Sequence, residues 1–179
     1  MRQKVKENLL YATIFSAIVA AARFRLDFAL VTFFLGTLVG AVILLTDYLF
    51  QVFLVQPELE LSKEAKKMVK EGNYLQAVKL VYQRRSEIKY LTFHTIFFQV
   101  IFYIFGFFVI TSSSSAFGKG MVLMALLHLL KEQINELRVQ KELSRVWFQR
   151  INVNLNIKEQ KIYVAIVVVI FLIYTFIYI

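Results

Sequence analysis

Apolar residues fall in five runs divided by charged or turn-forming stretches. The longest, DFALVTFFLGTLVGAVILLTDYLFQVFLVQP, covers residues 27–57. Several runs approach the ~20 residues a helix needs to cross a bilayer core, and they predict spans at about 8–24, 28–50, 90–111, 114–130 and 161–179. The fourth is the weakest: only residues 121–130 are unbroken apolar sequence, so SSSSAFGKG must supply its other half. The fifth, IYVAIVVVIFLIYTFIYI, is β-branched and apolar on every side, which suits a lipid-facing helix. Tyr174 and Tyr178 would sit in an interfacial aromatic belt. The expected fold is all-α, a polytopic helical membrane protein of about five transmembrane helices with a cytoplasmic helical hairpin.

Two polar segments stand outside these runs. Residues 58–89 read as helix, break, helix, with Gly72 able to end the first helix in a left-handed conformation and Ser62 suited to an N-cap. The stretch AKKMVKEGNYLQAVKLVYQ resembles one tetratricopeptide-type unit in Gly72, Tyr74 and Ala77. It does not repeat along the chain, whereas such units need stacking neighbours. The residues themselves favour an amphipathic hairpin lying on the membrane surface. Residues 131–160 read as an amphipathic helix followed by an extended stretch. Leu130, Ile134 and Leu137 share one helix face, while Val139, Leu143, Val146 and Trp147 share another, so a break is expected near 138–141. Ile151, Val153, Leu155 and Ile157 then alternate with polar residues, the period of a strand or a docking edge. Trp147 is expected at the headgroup layer.

Three runs also carry lengthwise stripes of small and polar residues when turned at ~100° per residue. In lipid, helices associate through small residues and buried polar contacts. The stripe on the second run is Ala29, Thr32, Gly36, Gly40, Asp47 and Gln51. The third carries Thr92, Thr95, Gln99, Tyr103 and Gly106, and the fourth Gly118, Met121, Ala125, His128, Glu132 and Asn135. Gly36 and Gly40 form a GxxxG. Ala12, Ser16 and Ala20 repeat at the same spacing on the first run, making that helix the simplest partner for the glycines; a homo-oligomer through the same face is the alternative.

Asp47 is the principal candidate for function, because an acid within a membrane helix is costly. Depth moderates this, since Asp27 and Asp47 lie ~30 Å apart along a helix, about one hydrocarbon thickness. His128 falls at the same level on the fourth run. The spacing allows Asp47 to pair with His128, with Gln51 and Glu132 nearby, as a structural contact that fixes helix register or as a proton- or ion-coupling group. On a helical projection His94 points away from its own polar stripe, so a metal site of Asp47, His94 and His128 is not expected.

Composition narrows the classes. The 179 residues are 59% hydrophobic, with 18 Phe, 9 Tyr and one Pro. The absence of Cys excludes disulfides and thiolate chemistry, and two His leave little for a metal cage. No HExxH, GxSxG, phosphate-binding glycine loop or Rossmann fingerprint is present, so neither a cofactor nor a catalytic residue is assigned. The net charge of +9 lies beside apolar runs, without the basic–aromatic groove of a nucleic-acid binder. With the N-terminus inside, the predicted topology leaves only Arg23, Arg25 and Lys119 of the 21 Lys and Arg outside, as the positive-inside rule requires. The first run has the parts of a signal peptide, including A-x-A at 20–22, but its immediate helical neighbour favours an uncleaved span. The expectation is an inner-membrane protein, N-terminus cytoplasmic and C-terminus outside. It would be non-enzymatic, with basic cytoplasmic segments docking anionic lipid headgroups or a protein partner. The alternative is an oligomeric transporter or channel using Asp47, Gln51, Gln99 and His128 as a polar path.

Overall fold

The structure, a computed structural model, describes residues 2–23, 27–84, 87–88, 91–139, 141, 143, 147–148 and 155–179. These residues form seven helices and no strand: α1 (Arg2–Arg23), α2 (Phe28–Val55), α3 (Glu60–Lys70), α4 (Tyr74–Gln83), α5 (Ile96–Ser112), α6 (Ala116–Val139) and α7 (Ile157–Tyr178). Of the alternating stretch at 151–158, residues 151–154 lie outside the described residues, and its end is not extended, because Ile157 and Lys158 already form the first turn of α7. Among those described, α2 and α7 are long and apolar enough to cross a membrane, with mean hydropathies of 2.5 and 2.3, whereas α5 is apolar but shorter. α6 interrupts its apolar sequence with Lys119, Lys131, Glu132, Glu136 and Arg138.

α1, α2, α5, α6 and α7 pack as a bundle, with α2 and α6 at its centre. The weakest apolar run thus supplies the most enclosed helix: Val122, Leu123, Met124, Ala125 and Leu126 are all buried. The GxxxG meets α6, not α1. A Cβ built on Gly36 would stand 2.0 Å from the Phe117 carbonyl oxygen, and one on Gly40 would stand 2.3 Å from that of Met121. Gly120 returns the contact, 2.3 Å from the carbonyl of Phe33. α1 takes the neighbouring face of α2 instead. Ala12 is buried, Ser16 shares a 2.9 Å hydrogen bond with Thr37, and the Asn8 amide donates to the Ala41 carbonyl at 3.3 Å; Ala20 is half-buried.

One end of the bundle gathers Arg23, Phe33, Lys119 and Tyr178. The Arg23 guanidinium donates to the Tyr178 hydroxyl at 2.9 Å, and the Phe33 ring stacks on Tyr178 at 4.5 Å. Tyr174 does not join a surface belt; it is buried, and its hydroxyl donates to the Tyr103 carbonyl at 3.0 Å. At the opposite end Asn156 caps α7 in a reciprocal capping box with Glu159, starting that helix at Ile157.

The α3–α4 hairpin packs on this second end. Leu61, Ala65 and Val81 join Val52 of α2 in a small separate core, so the apolar face expected on the membrane is covered by the protein's own helix. Ser62 does not cap α3, which begins at Glu60; its hydroxyl donates to the Gln56 carbonyl at 2.6 Å. Gly72 has the expected left-handed conformation, φ 80°. The Asn73 N–H reaches the Met68 carbonyl at 2.8 Å and the Gly72 N–H that of Val69 at 3.1 Å, a Schellman closure. No atom lies within 4 Å of a Cβ at Gly72. Gly72→Ala should therefore cost only the conformational strain, about 1 kcal/mol, read as a small shift in unfolding midpoint with an unchanged fold.

Candidate functional site

The candidate site begins with a defect in α2. Regular α-helix gives way to a 3₁₀ turn at Leu44–Thr46, resumes over Asp47–Phe50, and widens to a π turn at Gln51–Val55. Such departures recur at functional sites. Here Asp47 directly follows the first and Gln51 opens the second; the two lie four residues apart on one face, and both turn toward the chain segment that enters α5.

That segment is a turn, not a helix, and it ends in an extended Thr95 (φ −117°, ψ 148°) whose hydroxyl caps α5 by accepting from the Phe98 N–H at 3.2 Å. Its backbone donors converge on the fully buried Asp47. The Thr92 N–H reaches one carboxylate oxygen at 3.1 Å, and the Phe93 N–H and His94 Nδ1 reach the other at 2.8 Å each. Gln51 donates to the Thr92 hydroxyl at 2.6 Å and accepts from Gln56 at 3.0 Å.

His94 carries the connection onward. Its Nε2 lies 2.9 Å from Glu132 Oε2, and His128 Nε2 lies 3.6 Å from Glu132 Oε1. The His94 and His128 rings meet edge-on at 6.2 Å. Asp47 and His128 are therefore not direct partners. His94, expected to point away, stands between Asp47 and Glu132. Burial opposes charging of its imidazole, but the hydrogen bonds and negative charges of Asp47 and Glu132 outweigh it and raise the pKa to about 9. Trp147 is buried over the group, not set at an interface: its ring is 6.1 Å from His94, its Nε1 donates to Glu136 at 3.0 Å, and its carbonyl accepts from the Ile96 N–H at 2.9 Å. Glu132 keeps some access to solvent, its side chain 21% exposed beside a pocket of ≈ 170 Å³ lined by Glu7, Asn8, Tyr11, Lys131 and Asn135.

No protein-family model, curated protein or solved structure matches this chain.

The four side chains of the expected polar path divide between two levels of the bundle. Asp47 and Gln51 share Thr92, and His128 lies next to Glu132. Gln99, a turn farther into the bundle, is held by Gln133, which exchanges amide hydrogen bonds with it at 2.7 and 3.4 Å, and by the Tyr163 hydroxyl. Sequence reasoning missed His94 as a partner of Asp47, and missed Gln133 and Tyr163. Thr95 carried the signal for the first: a threonine N-cap ends the helix at Ile96 and frees residues 92–94 from helical projection.

Proposed function

We propose that the chain is a small multi-pass inner-membrane protein, crossing the bilayer with α1, α2, α5, α6 and α7, that serves a non-enzymatic docking role. The observation carrying the membrane half is the inverted distribution of polarity. Ser16, Thr37, Asp47, Gln51, Gln99, His128 and Gln133 are buried, while the outward faces of α5 and α7 present Phe97, Ile101, Phe105, Phe108, Ile166 and Leu172 at about half exposure or more. Surfaces this apolar are not left to water, and lipid is the solvent that suits them.

The basic residues support the orientation. The end that carries the hairpin and the Glu132 pocket faces the cytoplasm, and the Arg23–Lys119–Tyr178 end faces outward. The hairpin buries one face against α2 and leaves Tyr74 and Leu75 at its tip, Leu75 being 87% exposed. This tip, beside a lysine-rich helix, is the docking element. A transport path draws no support from the packing, because Asp47, Gln51 and Gln99 are each engaged by protein groups.

The absence of native Cys makes the test direct. Leu75→Cys should resist a membrane-impermeant maleimide in intact cells and react after permeabilisation, while Ser114→Cys, exposed at the other end, should react in both. Equal labelling of the two in intact cells, or recovery of the protein in the soluble fraction, would refute the topology. A photocrosslinker at Leu75 that captured only lipid would refute a protein partner.

A further inference from the structure

His94, His128 and Glu132 each bring one donor atom to a common point, all within 4.8 Å of one another. His128 and Glu132 are four residues apart on α6, the spacing that sets two ligands on one helix face, and His94 arrives from the turn before α5. Two imidazoles and a carboxylate are the donors of zinc-class sites with three protein ligands, which keep the fourth position for water. Imidazole also selects against magnesium and calcium, which take oxygen ligands.

The second layer matches as well. A metal-bound histidine commonly donates its other ring N–H to a carboxylate, which fixes the tautomer and ring orientation. Asp47 holds His94 Nδ1 at 2.8 Å, leaving Nε2 directed at Glu132, and Asp47 is itself fixed by the backbone N–H groups of Thr92 and Phe93. Trp147 closes the apolar side, and the pocket beside Glu132 gives an ion its way in.

From this geometry we propose that His94, His128 and Glu132 bind one zinc-class divalent ion, with Asp47 as the positioning residue for His94. The ion takes the place of the proton that His94 Nε2 otherwise shares with Glu132. The site is independent of the membrane topology and of the docking role, and either could fail alone.

The test uses the full chain in detergent, stripped with chelator and titrated with Zn²⁺ against a chromophoric chelator, then with Co²⁺ followed by visible absorption. One equivalent should bind, raise the unfolding temperature, and give the intense bands of four-coordinate Co²⁺. His128→Gln and Glu132→Gln, each checked for native helix content, should lose the stoichiometric site. Asp47→Asn should weaken Zn²⁺ affinity about 10- to 100-fold. A folded wild-type chain that binds no stoichiometric Zn²⁺ or Co²⁺ would overturn the proposal, as would full binding by folded His128→Gln and Glu132→Gln. Should either variant unfold, the wild-type Co²⁺ spectrum decides: bands of octahedral, all-oxygen type would equally overturn it.

Discussion

Asp47→Ala should destabilise the protein by about 3–5 kcal/mol, the cost of removing one partner from a buried ionic pair. The carboxylate accepts from two backbone N–H groups and from His94. Its loss leaves all three donors buried, and an orphaned buried donor loses its full solvation. Asp47→Asn should recover only part of this. Its oxygen can take only one of the two carboxylate positions, while its amide N–H₂ faces a donor at the other. Trp147, the sole tryptophan, sits 6.1 Å from His94 and reports on the same place. Denaturant titration followed by helicity and by Trp emission should show the emission shifting first in Asp47→Asn, as the segment before α5 leaves α2. A loss below about 1 kcal/mol in Asp47→Ala would mean that the contacts of Asp47 are not held in solution. The double variant Asp47→Asn/His94→Gln should be less destabilised than the sum of its parts, because neighbours in one network do not add.

The difference between the expected and observed partners of Asp47 marks how far the sequence could be read. Period and composition were enough to read an all-helical chain, the end of α6 at Val139 and the left-handed Gly72, since these depend on local chemistry. Long-range choices were less accessible. A helical projection is meaningful only inside a helix, and His94 lies in the turn before α5, so the projection turned it away from the group it completes. Trp147 was read by composition as interfacial, but its indole N–H has a carboxylate partner in Glu136, and that contact allows burial. The hairpin's apolar stripe was correct as a stripe. The irregular end of α2, whose Leu45 carbonyl accepts from the Tyr82 hydroxyl at 2.5 Å, provides the surface that covers it. The departure from α-geometry at Leu44–Thr46 and Gln51–Val55 has no signal in the residues strong enough to forecast.

Gly36→Ala should be the most damaging of the small substitutions. The same limit of local reading explains why the glycine partner was misassigned: GxxxG specifies a face able to approach another backbone, and Ala12, Ser16 and Ala20 offered a matching face on α1. The structure selects α6 because its contact is reciprocal, with Gly36 against Phe117 and Gly120 against Phe33. A methyl group at Gly36 would stand 2.0 Å from a carbonyl oxygen. That atom belongs to a continuous helix and cannot turn aside as a side chain can, so α2 and α6 must separate. Overpacking typically costs about 1–3 kcal/mol, and a backbone clash at the centre of the bundle belongs at or above the upper figure. The better helix propensity of Ala returns about 1 kcal/mol and does not reverse the sign. Gly118→Ala is the control: its nearest neighbour would be 3.6 Å away, and its effect should stay within about 0.5 kcal/mol. Gly36→Ala and Gly120→Ala act on one interface, so the second should cost less once the first has parted the helices. Equal stability of Gly36→Ala and Gly118→Ala would show that α2 and α6 do not approach this closely. A loss at Gly36 that Gly120→Ala repeats would show that the two helices meet through both glycines, which assigns the close approach to this pair and not to α1.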